Sequence, residues 1–243
     1  MYWKSLRHAT YGLALLFAVA CSSRLPWHDE PVGREVNMAF VLRDNLLYLR
    51  SATVDGRPGR FLFGSANPQS VLDAHFAQAV GARPFHSLQL NERESLRFTP
   101  AVLDLRGVAD AIIGADVWGA HAVTIDYRAG LLTFQREGIH PDLMNVYSFR
   151  DAPSINVAVD GRLLPAIVDT SSPDTLVLPR AAAPSERRTV RVQIAGADLG
   201  EVSVRLAEVA TARIGNRLLS KFLVTIDYGQ REVGLWRDPR TGL

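Results

Sequence analysis

Apolar and polar residues alternate over most of the chain, and the alternation predicts strands far more often than helices. "SINVAVDGRLLPAIV" (154–168) is two alternating runs about Asp160-Gly161, a pair that favours the tight hairpin turn. "YLRSATVDGRPGRFLF" (48–63) has the same form about Asp55-Gly56. "TVRVQIAGADLGEVSVRLAEV" (189–209) alternates about a Gly-bearing turn, and "VTIDYRAGLLTF" (123–134) and "VTIDYGQREVGLW" (224–236) predict two further hairpins. Helical spacing occurs in "SVLDAHFAQAVGA" (70–82), where Val71, Phe76, Ala77 and Val80 share a face and Gly81 marks the stop. A second helix at "LPRAAAP" (178–184) is not expected, because the segment is too short. The pattern predicts a mostly β fold.

These segments also repeat. Residues 60–72, "RFLFGSANPQSVL", superpose without a gap on residues 165–177, "PAIVDTSSPDTLV", at an offset of 105. The block "IIGADVWGAHAVTIDYRAGLLTF" (112–134) matches "RIGNRLLSKFLVTIDYGQREVGLW" (213–236) at an offset of 101, placing Gly114 on Gly215. "VNMAFVLRD" (36–44) resembles "MNVYSFRD" (144–151). Two blocks in the same order predict a tandem duplication, with copies at 36–137 and 144–238 and a linker at 138–143. Asp55, Asp160, Asp126 and Asp227 recur in turn contexts and are expected to form turns. Trp118 and Trp236 are expected to fill the core or an interface.

A buried strand running into Asp-Thr-Ser, then a flap-like hairpin, then apolar-apolar-Gly resembles a lobe of the retropepsin and pepsin group of aspartic peptidases, most closely the bacterial single-chain retropepsin-like proteins. The second copy supplies Ile167-Val168-Asp169-Thr170-Ser171-Ser172 and the first Leu62-Phe63-Gly64-Ser65-Ala66-Asn67. The later apolar-Gly element is Ile112-Ile113-Gly114 and, less closely, Arg213-Ile214-Gly215. The resemblance implies two β-barrel lobes with pseudo-twofold symmetry. It also implies a carboxylate from each lobe, the two sharing one proton because close like charges do not both ionise, and loop hydroxyls, here Ser65 and Thr170, that bond across to the opposite loop.

This chain departs from the pattern where the chemistry sits. Gly64 stands in place of one carboxylate, leaving Asp169 alone, and the Gly that normally follows Asp-Thr is Ala66 in one copy and Ser171 in the other. General acid–base catalysis contributes about 10²–10⁴-fold, so half a dyad is severely impaired. Asp110 and Asp116, flanking Ile112-Ile113-Gly114, are the candidates for a substitute acid. Three readings of Asp169 stay open: a carboxylate held by backbone N–H groups or an Arg, a polar anchor in a binding cleft, or a member of a working site. Two functions follow. One is a non-catalytic protein whose interlobe cleft binds an extended peptide or an envelope protein. The other is a diverged aspartic endopeptidase using Asp169 and a second acid. A spacer role is a third, purely structural reading.

The N-terminus sets the expected compartment. Lys4, Arg7 and His8 precede the apolar run "YGLALLFAVA", which has the form of a secretory signal (residues 1–20). It ends in Ala18-Val19-Ala20-Cys21, and small residues before the single cysteine resemble a bacterial lipobox. That resemblance implies a lipidated Cys21 on a polar tether over 21–35 and, with Ser22 in the next position, a body on the periplasmic face of the outer membrane. The plainer alternative is an ordinary signal peptide with an incidental cysteine. A net charge of +2 with scattered Arg gives no nucleic-acid surface, and the six His residues lack ligand spacing, so neither a metal nor a cofactor is expected.

Overall fold

The computed structural model describes residues 35–135, 138–142, 144–180 and 189–237. The signal, Cys21 and nearly all of the tether lie outside the described residues, as do positions 181–184 of the segment judged too short for a helix.

The first half opens with β1 (Glu35–Arg43) and β2 (Leu46–Leu49), joined at Asp44-Asn45, both left-handed at φ 51° and 61°. Next come β3 (Thr53–Val54), β4 (Arg57–Pro58), β5 (Phe61–Phe63), β6 (Val71–Asp73) and α1 (Ala74–Val80). β7 (His86–Gln89), β8 (Ser95–Phe98), β9 (Ala101–Leu103), β10 (Ala111–Ile113), α2 (Ala115–Trp118), β11 (Ala122–Asp126) and β12 (Leu131–Gln135) complete it. The second half contains β13 (Asn145–Ser148), β14 (Ser154–Val159), β15 (Arg162–Val168) and β16 (Leu176–Pro179). β17 (Thr189–Ile194), β18 (Ala197–Ala207), β19 (Ala212–Ile214), α3 (Asn216–Leu219), β20 (Leu223–Asp227) and β21 (Glu232–Trp236) follow.

The strands form an 11-stranded sheet, a closed barrel β14-β15-β19-β16-β18-β17, and a four-stranded sheet β4-β3-β7-β8. The sequence offsets reappear in the pairing. β10 runs parallel to β5 with Ile112 opposite Leu62, and β19 runs parallel to β15 with Arg213 opposite Ile167. β10 is antiparallel to β6 and β19 to β16, while β9 is parallel to β6 and β18 to β16. Each Gly after the parallel pair, Gly114 or Gly215, leads into a one-turn helix.

The halves join through β11 and β20, antiparallel, with Thr124 opposite Thr225 at the centre and their hydroxyls 2.8 Å apart. The inward side of this junction carries Val123, Ile125, Val224 and Ile226, all fully buried. Burying each such side chain contributes about 1.5–3 kcal/mol, so the junction belongs to the common core.

Several expectations are corrected. Among the described residues only the second half closes into a barrel. In the first half β3 and β4 are two residues long, and Thr99-Pro100 separates β8 from β9, whereas the matching β18 is unbroken. Proline has no N–H for a ladder. The helix begins at Ala74 rather than residue 70, because Val71-Leu72-Asp73 pair between β10 and β9. Asp73 then caps α1, accepting from His75 N–H at 2.9 Å. The N-terminal repeat is also offset by one residue: Asn37 faces Thr133 as Val146, not Asn145, faces Gly234. Trp118 fills the core as expected, against Phe63 and Tyr228, while Trp236 is outside the core, 40% exposed beside a surface cavity of about 460 Å³.

Candidate functional site

Two loops meet where the halves join: the one after β5 carries Gly64-Ser65-Ala66-Asn67 and the one after β15 carries Asp169-Thr170-Ser171-Ser172. Each begins at the end of a central strand, and the same backbone bonds aim both. Gly64 N–H donates to Ile113 O and Asp169 N–H to Ile214 O, at 2.9 and 3.0 Å. Gly114 and Gly215 permit this approach. A Cβ on Gly114 would lie 2.7 Å from Asn67 O, and one on Gly215 would lie 2.7 Å from Ser172 O.

The loop hydroxyls interlock. Ser65 N–H donates to Thr170 Oγ1 and Thr170 N–H donates to Ser65 Oγ, both at 2.9 Å. Ser65 Oγ donates to Val168 O at 2.7 Å and Thr170 Oγ1 to Phe63 O at 2.6 Å. Both residues are completely buried. Tyr228 Oη adds a bond to Ser65 O at 3.0 Å. On the other side Asn216 Nδ2 donates to Thr170 O at 2.7 Å and to Asn45 O at 2.6 Å, while its Oδ1 accepts from Tyr127 Oη at 2.8 Å. Burial pushes the Tyr228 phenol up to about 12 and raises Tyr127 as well, so both remain protonated donors.

Asp169 is buried and fully engaged. Its Oδ1 accepts from Ser171 N–H at 3.0 Å and Ser171 Oγ at 2.6 Å, and its Oδ2 accepts from Arg213 Nη1 at 2.8 Å. Arg213 reaches it because β19 pairs with β15, setting Arg213 opposite Ile167. Across the junction, the space beside Gly64 is occupied. A Cβ there would lie 2.6 Å from Asn67 Oδ1 and 2.7 Å from Ile112 Cγ2. Asn67 Oδ1 lies 3.3 Å from Ser171 Oγ, so the amide stands where a second carboxyl would be, at the end of a chain leading to Asp169.

The other acids serve elsewhere. Asp110 accepts from Arg60 N–H at 2.7 Å, and Asp116 Oδ1 accepts from Ser70 N–H and Oγ at 2.8 and 2.6 Å. Ser70 Oγ in turn accepts from Gly114 N–H at 2.9 Å, so Asp116 supports the Gly114 turn. Its Oδ2 is buried without a partner, and burial raises its pKa. Asp55 and Asp160 occupy left-handed turn positions at φ 50° and 47° as expected. Asp55 also binds the buried His86 ring at 2.6 Å, a role its turn context did not announce. Asp126 and Asp227 accept from turn N–H groups. Ala66 and Ser171 are not among the left-handed residues, which is why a side chain is tolerated where the resemblance expects Gly.

Five participants escaped the sequence reading: Asn67, Tyr127, Arg213, Asn216 and Tyr228. Three had a signal: Tyr127 and Tyr228 end the repeated "TIDY", and Arg213 is a cation where the first copy has Ile112. As arranged, the site holds the Asp169 carboxylate in an ion pair with Arg213, and among the described residues no second acid meets it to share a proton. No protein-family model and no curated protein matches this chain.

Proposed function

We propose that the chain is a tandem pair of retropepsin-like lobes, residues 36–137 and 144–238 joined by 138–143, related by a pseudo-twofold axis through the Thr124–Thr225 and Ser65–Thr170 contacts. It is a non-catalytic protein that binds an extended peptide, or a segment of an envelope protein, in the cleft above the two loops. The observation carrying this reading is the state of the two catalytic positions. Arg213 and Ser171 take both oxygens of Asp169, and Asn67 fills the space beside Gly64. Half-exposed Ala66, Asn67, Ile112, Ser171 and Arg213 leave a floor on which a peptide rests. The same proposal places the body at the periplasmic face of the outer membrane through lipidated Cys21.

The test uses the purified mature protein with a diverse peptide library from pH 3.5 to 7.5. Binding is read by retention and cleavage by mass spectrometry. Retention without cleavage is expected. Cleavage that Asp169→Asn abolishes would establish the endopeptidase reading instead. For the anchor, Cys21→Ser should abolish labelling by a fatty-acid analogue, and unchanged labelling overturns the lipoprotein reading.

A further inference from the structure

The two sides of the loop junction differ in a way that selects a ligand. Ile112 and Arg213 hold matching places, each opposite the residue two before its loop's first position: Leu62 before Gly64, and Ile167 before Asp169. One side of the floor is therefore aliphatic and the other cationic. The Arg213 side chain is 42% exposed, whereas that of Asp169 is 5% exposed. Asp169, met through Nη1, is the one hydrogen-bonded partner of the Arg213 side chain among the described residues. A guanidinium carries five donors in a planar fork, so the edge turned away from Asp169 keeps the geometry that grips a carboxylate through two parallel bonds.

We infer that this floor reads a carboxylate on the bound peptide, with Arg213 as the specificity-determining residue and Asp169 as the positioning residue that holds its fork. The inference rests on the peptide-binding reading above. The carboxylate is an Asp or Glu side chain of an extended segment or a free C-terminus, and the residue beside it is apolar to suit Ile112. The second carboxylate takes the open edge of Arg213, while Asp169 prevents the guanidinium from swinging into solvent. This gives Asp169 a task other than catalysis: an arginine on an exposed floor loses less rotamer freedom on binding when one edge is already fixed.

Three pools of octapeptides test this against the full mature chain by fluorescence polarisation. The first is acetylated and amidated with Glu fixed at position four, the second is identical with Gln, and the third has Gln and a free C-terminal carboxylate. The Glu pool or the free-acid pool should bind about tenfold more tightly than the blocked Gln pool, the size expected of a charge-assisted pair. Which of the two gains identifies the source of the carboxylate. The double variant Arg213→Ile/Asp169→Asn copies the first half's aliphatic residue and leaves no buried charge unpaired. It should bind all three pools equally, while Arg213→Lys retains part of the preference. Equal binding of the three pools by the natural chain overturns the inference and leaves peptide binding intact, as does a preference that survives in the double variant. Binding of no pool overturns both readings.

Discussion

Ser65 and Thr170 lock the two loops together through four hydrogen bonds of 2.6–2.9 Å, each hydroxyl accepting from the other residue's N–H and donating to a carbonyl of the opposite half. Because both are fully buried, removing one hydroxyl strands the partner's N–H and a carbonyl away from water. Ser65→Ala and Thr170→Val should each lower unfolding free energy by about 1–3 kcal/mol. The double variant should cost less than the sum, since either single change breaks the shared junction. Denaturant melts of the four proteins measure this, and additive losses would show that the hydroxyls act separately.

The supports of the two loops are unequal, and the inequality is measurable. Tyr228→Phe removes one bond, Tyr228 Oη to Ser65 O, and should cost about 0.5–1.5 kcal/mol. Asn216→Ala removes the bonds to Thr170 O, Asn45 O and Tyr127 Oη at a position that is 1% exposed. Several buried groups lose their partner at once, so about 2–4 kcal/mol is expected. Equal losses in thermal unfolding would mean that Asn216 is not the hub of its side.

Asp116 gives the stability a definite pH dependence. Burial raises its folded pKa above the unfolded value, so the folded state binds the extra proton. Its contribution is therefore fully present below the unfolded pKa and is lost as pH rises through the folded one. Asp116→Asn keeps the Oδ1 acceptor for Ser70 but does not titrate. The Tm of the natural chain minus that of the variant should increase as pH falls from 8 to 4. A difference that stays flat would show that burial does not burden this carboxylate.

What could be read in advance was local or repeated. Asp160-Gly161 specifies its hairpin by turn chemistry alone, and both residues take positive φ, at 47° and 81°. Ser65 and Thr170 were visible because a hydroxyl recurs in matching loops. Val71-Leu72 misled because an apolar pair suits a helix face or a buried strand equally, and only β9 and β10 on either side decide for strand. Barrel closure in one half only depends on Pro100 and on the two-residue β3 and β4, none of which alters the alternation. The Asp169–Arg213 pair joins residues 44 positions apart and exists only because β15 and β19 lie side by side. Nor does sequence reveal that Asn67 folds back over Gly64, since that depends on a space of a few ångströms.

That space decides whether the lost acid can be restored by one change. Gly64→Asp puts a Cβ 2.6 Å from Asn67 Oδ1 and 2.7 Å from Ile112 Cγ2. Asn67 can turn aside, but Ile112 is a branched residue held in β10 between β5 and β6, so the strain falls on the sheet. Overpacking of this kind costs about 1–3 kcal/mol, and the single variant should be less stable by that amount and should cleave no peptide. Adding Asn67→Ser transplants the residue found at the matching place, Ser172, and adding Arg213→Ile frees the Oδ2 of Asp169. In this triple variant two carboxyls face each other without a cation, and one of them should titrate well above the ordinary carboxylate range because both cannot ionise at low cost. Carboxyl-carbon NMR across pH 3 to 8 reads that titration, and peptide digestion at mildly acidic pH reads the chemistry. Cleavage by Gly64→Asp alone would show that Asn67 and Arg213 do not hold the site closed. Two ordinary titrations in the triple variant would show that the loops no longer bring the positions of residues 64 and 169 together.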